Sequence, residues 1–372
     1  MTKWSQYFQL KDPNRGSFEL NPDTDFNIFV DLDGIRPRLQ RVGLTAETFK
    51  LVIEGDFGAG KSHLLRYIQH HPPVEQHHPF YVKLGGFDRK TAFIQVYRQI
   101  MTELLPLLEK KETGPIDLST LSPNEFLDHD SCLALKELLS VRILSEHPER
   151  VLARRWLRAD PDLRSSESVK GGYARRLVNS TPAQLMHLLL GISALYKRSK
   201  HHTLLMLLDE SESFSRLTDD VSQADVAAGL RELFDPSNTA LSVVVGLNTP
   251  SSRAGHHPML RSEVRSRMVG KYIQLKPIES DKRVSEFIQQ LWGELASNPE
   301  TYPFHLSQQS LTLFIRGVTS WRKKLDVTLL EGQPVVPRDI CSLLNILGQE
   351  ALREGVKAPI TVDKLTQWFG EI

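Results

Sequence analysis

The sequence predicts an α/β fold in which a five-stranded parallel sheet carries a helical insertion and a C-terminal helical lid. Three observations support this prediction. An apolar run at 51–53 leads into a glycine-rich turn and then into a helical stretch at 63–69. A second apolar run, at 203–208, ends in two carboxylates, and residues 281–372 show helical patterns separated by turn residues. Strands that alternate with helices favour a parallel sheet.

Composition places the 372-residue chain among ordinary globular proteins, with room for one large domain or about two to three smaller ones. No apolar run reaches the ~18 residues of a membrane span, and the first residues lack the apolar core of a signal peptide. We therefore expect a cytoplasmic protein without a membrane partner. The net charge of +1 excludes a uniformly basic surface, and the two cysteines, Cys132 and Cys341, have no metal-type spacing.

Changes in composition divide the chain into three parts. Residues 1–25 are polar and interrupted by prolines and a glycine, which predicts an N-terminal arm rather than core. Residues 26–280 are assigned to the α/β core, which includes a short helix at 35–42 and an insertion at 109–202. Residues 281–372 are assigned to the lid.

The stretch at 55–62 fits the phosphate-binding pattern of Gly, four residues, Gly, Lys and Ser. Its glycines let backbone N–H groups turn inward toward phosphate oxygens, and the following helix adds the positive end of its dipole. Lys61 is expected to reach the β- and γ-phosphates of ATP, and the Ser62 hydroxyl to hold Mg²⁺. The alternative is a chance glycine-rich turn, which the strand before it and the helix after it disfavour. The candidate nucleotide-binding residues here are Gly55, Asp56, Phe57, Gly58, Ala59, Gly60, Lys61, Ser62 and His63.

An apolar cluster upstream of this loop is the candidate adenine contact. Ile28, Phe29 and Val30 precede the first strand, where many ATPases with this loop receive the adenine ring. Core packing is an equally good explanation of the cluster. Ile28 and Val30 are therefore candidate adenine contacts with core packing as the alternative.

A second strand is predicted from Tyr81, followed by a helix over 90–105 that Pro106 ends. Before this strand, several histidines surround a proline-bearing turn and suggest a metal cluster at first sight. Adjacent histidines in a turn point in different directions, and no acid or cysteine completes a zinc pattern. A metal site is therefore the weaker interpretation. The histidines are His70, His71, His77 and His78.

The insertion is expected to be helical over 130–145, 149–158 and 182–199, with a polar, flexible stretch at 165–172. Positive charge concentrates at 142–176, and a solvated helix face is the common explanation of such a run. Lys or Arg stands at 142, 150, 154, 155, 158, 164, 170, 175 and 176, against Asp or Glu at 146, 149, 160, 162 and 167.

The alternative for this basic segment is a partner-binding surface suited to nucleic acid. Trp156 and Tyr173 are its candidate stacking rings, and Gly171 with Gly172 would permit a mobile loop. Its candidate cations are Arg154, Arg155, Arg158, Lys170, Arg175 and Arg176.

The apolar run at 203–208 ends in Asp209 and Glu210, at the strand edge where ligands bind in open α/β sheets. Asp209 is expected to complete the Mg²⁺ shell beside Ser62. Glu210 is expected to polarise the water that attacks the γ-phosphate.

The remaining elements complete the sheet and the lid. A fourth strand, at 241–247, ends at Asn248, a candidate to orient the attacking water or to contact the γ-phosphate, with a turn role as the alternative. A fifth strand is expected at 271–275. The predicted lid helices are 281–296, 307–319, 338–353 and 361–369.

Taken together, these residues resemble the AAA+ ATPases, and within them the initiator and clamp-loader branch that contains origin-recognition-like proteins. The resemblance covers residues 26–100 and 200–372. It makes the loop at 55–62 the Walker A motif, the Asp-Glu pair at 209 and 210 the Walker B motif, and Asn248 the first sensor.

The resemblance also implies two arginine roles. Arg267, just before the fifth strand, looks like the arginine finger that one subunit offers to its neighbour's nucleotide, and Arg261 and Arg265 compete for that role. Arg338, within Val-Pro-Arg-Asp at the start of a lid helix, looks like the second sensor that reaches the γ-phosphate.

A finer similarity is to prokaryotic ATP-binding proteins of the BREX phage-defence type, carried by Arg155-Trp156-Leu157, the apolar helix at 182–199 and the strand that follows. Two features depart from the broader family. Its usual Gly-Arg box is not evident near 29–35, and no winged-helix domain is expected after the lid. The second departure argues against sequence-specific DNA binding by this chain alone.

The resemblance implies an oligomeric, Mg²⁺-dependent ATPase that works as a switch or motor, with nucleic acid or a protein partner, in a larger complex. The alternative is a nucleotide-dependent signalling or scaffold protein with slow turnover. A third possibility is a small-molecule kinase, which the helical lid and Asn248 argue against.

Overall fold

The computed structural model describes residues 2–45, 48–87, 91–109, 116–119, 121–140, 147–217, 220–248, 261–268, 272–278, 280–300, 313, 335–357 and 359–371. The chain forms two compact units. The first consists of Met1–Arg38, Gly55–His70 and Gln274–Ile372, and the second of Leu39–Glu54 and His71–Ile273. None of the helices within the described residues has both the length and the apolar character needed to cross a membrane.

The strands and helices are numbered in chain order. The strands are β1 Lys50–Gly55, β2 His77–Lys83, β3 Thr203–Asp209, β4 Leu241–Asn248 and β5 Tyr272–Gln274. The α-helices of the described residues are α1 Lys3–Phe8, α2 Ile35–Thr45, α3 Lys61–His70, α4 Ala92–Glu109, α5 His129–Leu139, α6 Pro148–Leu157, α7 Ser165–Lys170, α8 Pro182–Lys200, α9 Asp220–Leu233, α10 Ser262–Arg265, α11 Asp281–Leu295, α12 Pro337–Glu354 and α13 Val362–Glu371.

The sheet is parallel, with strand order β2-β3-β4-β1-β5, and this confirms the predicted five-stranded α/β architecture. β3 pairs with β2 from Thr203 opposite His77 to Asp209 opposite Lys83. Every residue of β3 is buried, as expected for a central strand that is covered on both faces. Because β3 and β4 are parallel neighbours, their carboxyl ends lie side by side.

One apolar core joins the sheet and the insertion helices in the second unit. It contains Tyr97 of α4, Trp156 of α6, Leu189 of α8 and Met206 of β3, all buried. Helix α9, which was not predicted from the sequence, adds Val226 to the same core. The insertion is therefore part of the α/β unit rather than an appendage.

Aromatic residues of the N-terminal segment help to build the core of the first unit. Trp4 and Phe18 are buried with their ring centroids 5.1 Å apart, and they join Trp292 of α11 and Trp368 of α13. The expectation that residues 1–25 stay outside the core is wrong. A segment that is polar on average can still enter a core, because each large aromatic side chain buries roughly 150–250 Å².

Helix α4 continues past the position where the sequence predicted its end. Pro106 lies inside the helix, which runs to Glu109. A proline removes one helical hydrogen bond. The burial of Leu104, Leu105 and Leu108 offsets that loss, since apolar surface leaves water.

Two further predictions are corrected. β2 begins earlier than expected, so His77 and His78 lie in the strand and not in a turn. The stretch at 165–172 is not a flexible loop, because α7 occupies most of it and a Cβ on Gly171 would lie 2.6 Å from Leu152 Cδ2. Some predicted segments lie outside the described residues: 141–145, residue 271, and 307–319 apart from residue 313.

Gly348 of α12 tests whether the N-terminal segment belongs to the core of the first unit. A Cβ there would lie 2.4 Å from Trp4 Cη2, so Gly348→Ala should lower the free energy of unfolding by about 1–3 kcal/mol. Gly293→Ala on α11 is the matched control, because a Cβ at Gly293 meets nothing within 4 Å. Chemical denaturation measures both variants, and equal stability of the two would contradict the packing of Trp4 on α12.

Candidate nucleotide-binding site

The loop between β1 and α3 has the backbone shape that its glycines permit. Gly58 and Gly60 have φ values of +84° and +98°, which side chains with a Cβ rarely adopt. The Ala59 N–H donates to the Asp56 carbonyl at 3.1 Å and closes the turn. A strand, this turn and a helix follow one another directly, which is the structural context that the sequence motif requires.

Lys61 points its charge back into this loop. Its Nζ donates to the carbonyls of Gly55 and Asp56, both at 2.9 Å, and the residue is only 7% exposed. A buried ammonium needs such acceptors, because its desolvation is otherwise costly. The loop therefore holds a positive charge close to its own backbone carbonyls.

The first turn of α12 packs directly on the loop. A Cβ on Gly58 would lie 3.0 Å from Val336 Cγ2 and 3.1 Å from Arg338 Cβ. The Arg338 N–H approaches the Gly58 carbonyl at 3.4 Å, and Asp339 caps the helix by accepting from the Val336 N–H at 2.8 Å. The arginine predicted as the second sensor thus lies beside the loop, with its guanidinium carbon 4.4 Å from the centroid of the Phe57 ring.

The upstream apolar cluster is placed mainly in the core of the first unit. The side chains of Ile28 and Val30 pack against the helical core there, and this placement favours the core-packing alternative. His63 Nε2 lies 2.5 Å from the Ile28 carbonyl, and burial lowers the pKa of His63, so the neutral imidazole donates from Nε2. Contact with adenine stays a prediction for Ile28, Phe29 and Val30.

Phe29 lies beside the loop helix rather than with its two neighbours. Its ring is 5.1 Å from that of Tyr67 on α3, and the guanidinium of Arg36 lies 5.1 Å from the Tyr67 ring and 5.6 Å from the Phe29 ring. This group of an arginine between two aromatic rings was not predicted. The interleaved arginine and aromatic residues near 29–36 are the signal that could have indicated it.

The two predicted carboxylates lie at the end of β3 in the second unit. Asp209 is 3% exposed, and it accepts hydrogen bonds from the Tyr81 hydroxyl and from the Glu210 N–H, the latter at 2.8 Å. Glu210 has a left-handed backbone, with φ of +56°, and its Oε1 lies 2.9 Å from Lys83 Nζ. Tyr81 and Lys83, two residues apart on β2, were not predicted as partners, although their shared strand face was the signal.

Asn248 ends β4, beside the end of β3. Its Oδ1 is buried and has no hydrogen-bond partner within the described part of the chain. An unpaired buried amide oxygen costs about 1–3 kcal/mol. Such an oxygen at the carboxyl edge of a parallel sheet is suited to receive a polar group.

The predicted Mg²⁺ ligands belong to different units, Ser62 to the first and Asp209 to the second. Both offer oxygen atoms, which are the ligands that Mg²⁺ prefers. Coordination of one ion by both residues stays a prediction.

The three candidate finger arginines differ in their surroundings. Arg267 donates to Asp235 Oδ2 at 3.2 Å, and hydrogen bonds from Ser237, with a smaller contribution from Arg267, lower the pKa of Asp235 to about 2. Arg261 lies 3.5 Å from a side-chain oxygen of α9. Arg265 is exposed. The predicted finger, Arg267, is thus engaged by a carboxylate of its own chain.

The proposed stacking rings of the insertion are buried, and that part of the prediction is wrong. Trp156 and Tyr173 are at most 1% exposed and stack on each other, with ring centroids 4.9 Å apart. The Trp156 Nε1–H donates to the Arg175 carbonyl at 2.7 Å, and the Tyr173 hydroxyl donates to Glu137. Neither ring is available to a base.

Many cations of the insertion are paired with acids of the same unit. Counting charges over 142–176 missed the partners of Arg154 and Arg175, because Glu109 and Asp128 lie outside that window. Binding of nucleic acid by this segment stays a prediction, but its two candidate stacking rings, Trp156 and Tyr173, are buried and no longer support it. The pairs are Arg154 with Glu109 at 2.8 Å, Arg155 with Asp160 at 2.8 Å and Glu167 at 3.3 Å, and Arg175 with Asp128 at 2.7 Å.

Comparison with protein-family models gave no match, and comparison with curated proteins gave none. Among solved structures, the chain is similar to the Walker-type ATPase PABY2304 of Pyrococcus abyssi, with 12% identity and a TM-score of 0.44 over 95% of this chain and 75% of that one. It is also similar to the ORC2 protein of Aeropyrum pernix. The ADPNP–ADP complexes give 14% identity and a TM-score of 0.43 over 97% and 72% of the two chains, and the ADP form gives 12% and 0.43 over 98% and 73%. These TM-scores are too low to support an argument, so the case for a function rests on this chain's own residues.

Gly58 and Gly60 allow the packing of α12 on the loop to be tested separately from the loop's own shape. Each alanine substitution should cost about 1–2 kcal/mol, because both glycines have positive φ. Only Gly58→Ala should also loosen the start of α12, since a Cβ on Gly60 meets nothing within 4 Å. Hydrogen exchange of the first amides of α12 measures this difference, and equal exchange in both variants would contradict the contact.

Proposed function

We propose that this chain binds ATP with Mg²⁺ and hydrolyses it, as an AAA+ ATPase of the initiator and clamp-loader type. The observation that carries the proposal is the loop at 55–62, which follows β1, opens α3 and holds the Lys61 ammonium among its own carbonyls. Inward-facing amides, a helix N-terminus and a lysine are the groups that a triphosphate requires. When ATP binds, the Lys61 ammonium would exchange its hydrogen bonds to the Gly55 and Asp56 carbonyls for bonds to phosphate oxygens, so that it always has acceptors.

The proposal gives each remaining site residue one role. Asp209 and Ser62 would hold Mg²⁺, which when bound neutralises phosphate charge. Glu210 accepts the proton of the attacking water, Asn248 orients that water with its unpaired amide oxygen, and Arg338 contacts the γ-phosphate. These roles require that the attacking water lies in line with the γ-phosphate of the bound nucleotide.

Glu210 must leave Lys83 before it can act on water. Their side chains are 40% and 67% exposed, and an ion pair exposed to this degree contributes about 0–1 kcal/mol. The release of Glu210 is therefore inexpensive. The same pair favours a second candidate function, a nucleotide-dependent regulator with slow turnover, if Lys83 keeps Glu210 engaged after ATP binds.

An oligomer would complete the site with an arginine from a neighbouring subunit. Arg265 is the first candidate for this role, because it is exposed while Arg267 is paired with Asp235. A side chain that reaches a neighbouring subunit must be free of contacts within its own subunit. Arg267 would first have to break its ion pair with Asp235.

The setting of this activity is part of the proposal. We place the chain in the cytoplasm, in a larger complex that acts on nucleic acid or on a protein partner. The phage-defence role implied by the segment around Arg155-Trp156-Leu157 belongs to the same hypothesis. Measurement of ATP turnover with and without DNA, by the protein purified together with any bound partner, tests this part.

Lys61 and Glu210 should separate binding from chemistry. Lys61→Ala should weaken ATP binding roughly 10- to 150-fold, since hydrogen bonds to charged groups contribute about 1.5–3 kcal/mol. Glu210→Gln should bind ATP normally and lose roughly 10²- to 10⁴-fold in turnover. Calorimetric titration and phosphate release measure the two effects. Normal turnover by Glu210→Gln would remove Glu210 from the reaction, and slow turnover by the unaltered protein would favour the regulator.

The arginine from the neighbouring subunit can be identified by mixing variants. Arg265→Ala should bind ATP and lose about 10³-fold in turnover, and a mixture with Glu210→Gln should recover part of the activity, because some mixed interfaces contain both intact groups. Arg267→Ala is the control and should change turnover little. Full activity of Arg265→Ala with an inactive Arg267→Ala would reverse the assignment.

A further inference from the structure

Phe57 is an exposed aromatic residue in the middle of the loop. It leaves 62% of its surface open, although a large apolar side chain is normally buried. The ring is not needed to shape the loop, which depends on its glycines and on the turn from Asp56 to Ala59. Its one side-chain contact of defined geometry, within the described residues, is with the guanidinium of Arg338.

The ring faces the guanidinium at a distance at which the two attract. The carbon at the centre of the guanidinium lies 4.4 Å from the ring centroid, inside the ~6 Å over which a cation and an aromatic face interact. Within the described part of the chain, no carboxylate forms an ion pair with Arg338. Among the described residues, the Phe57 ring is therefore the side chain that the Arg338 guanidinium contacts.

The backbone of Arg338 is fixed independently of this contact. Its N–H approaches the Gly58 carbonyl, a Cβ on Gly58 would lie 3.1 Å from the Arg338 Cβ, and Asp339 caps the helix one residue later. The start of α12 therefore stays on the loop whatever the ring does. Only the long side chain of Arg338 is left to be oriented, and Phe57 is the residue placed to orient it.

We infer that Phe57 is a positioning residue, which holds the Arg338 guanidinium above the loop so that it meets the γ-phosphate of an incoming nucleotide. This inference rests on the proposed binding of ATP. The ring restricts the side chain before the ligand arrives, and less conformational entropy is then lost on binding. ADP has no γ-phosphate, so Phe57 should contribute to the affinity for a triphosphate and not to that for ADP.

The inference predicts a difference between two nucleotides and a dependence on the aromatic ring. Phe57→Leu keeps an apolar side chain and removes the aromatic face, so it should weaken binding of a non-hydrolysable ATP analogue about two- to fivefold and leave ADP affinity unchanged. Phe57→Trp should restore or exceed the original affinity, because Trp binds cations best. Calorimetric titration of both nucleotides into each variant measures these affinities.

A double-mutant cycle separates positioning of Arg338 from a general effect on the loop. In the Arg338→Met background, Phe57→Leu should have no further effect on binding of the ATP analogue, because the group that it positions is absent. Circular dichroism and thermal unfolding of each variant check that the fold is kept, as expected for substitution of an exposed side chain.

Different results would overturn the inference and the proposed function. Equal weakening of ATP-analogue and ADP binding by Phe57→Leu, or an undiminished effect in the Arg338→Met background, would overturn the inference and leave ATP binding intact. Absence of nucleotide binding by the unaltered protein, or an unchanged affinity in Lys61→Ala, would overturn the proposed function and the inference with it.

Discussion

The close approach of α12 to the loop is the constraint on which the first unit depends. Gly58 satisfies two requirements at once, since its φ is positive and its missing Cβ leaves space for Val336 and Arg338. Helix α12 also buries Leu343 and Leu347 in the core that Trp4 joins. The shape of a polar loop and the packing of an apolar core are therefore linked through one helix.

The second unit follows a different principle, in which buried structure fixes one carboxylate and leaves its neighbour adjustable. Asp209 is buried at the carboxyl edge of the sheet and accepts a hydrogen bond from Tyr81. Glu210 itself has a left-handed backbone conformation, which directs it away from the strand to the exposed Lys83. A ligand that binds both kinds of group meets one rigid partner and one that can change contacts at small cost. Under the proposed function, this division would suit a site that binds ATP first and hydrolyses it afterwards.

The sequence was sufficient for the parts that depend on local pattern. The apolar strand 203–209, the loop at 55–62 and the start of α12 near Arg338 follow from spacing and from a few residue types. The partners of these residues did not follow, because they are distant in sequence. Phe57 and Arg338 could each be singled out by their motifs, yet nothing local indicated that they touch.

The wrong prediction about the insertion has the same cause, namely contacts between residues that are distant in sequence. Trp156 and Tyr173 lie among cations in the sequence and away from solvent in the structure, since helix and loop bury them together. The acids that pair with Arg154 and Arg175 come from outside the basic segment. A charge count over a window measures composition, and only tertiary packing decides which charges remain for a partner.

The positions of the two units' segments along the sequence have a consequence for protein synthesis. The first unit takes its residues from Met1–Arg38, Gly55–His70 and Gln274–Ile372, whereas the second is complete once Ile273 has been made. A nascent chain can therefore assemble the sheet early, but the loop waits for Val336 and Arg338 to emerge from the ribosome. Contacts so far apart in sequence also close slowly, because long loops cost more entropy to close. The loop at 55–62 is thus among the first parts of the molecule to be translated and among the last to reach its final surroundings, so that an incomplete chain cannot carry the finished loop.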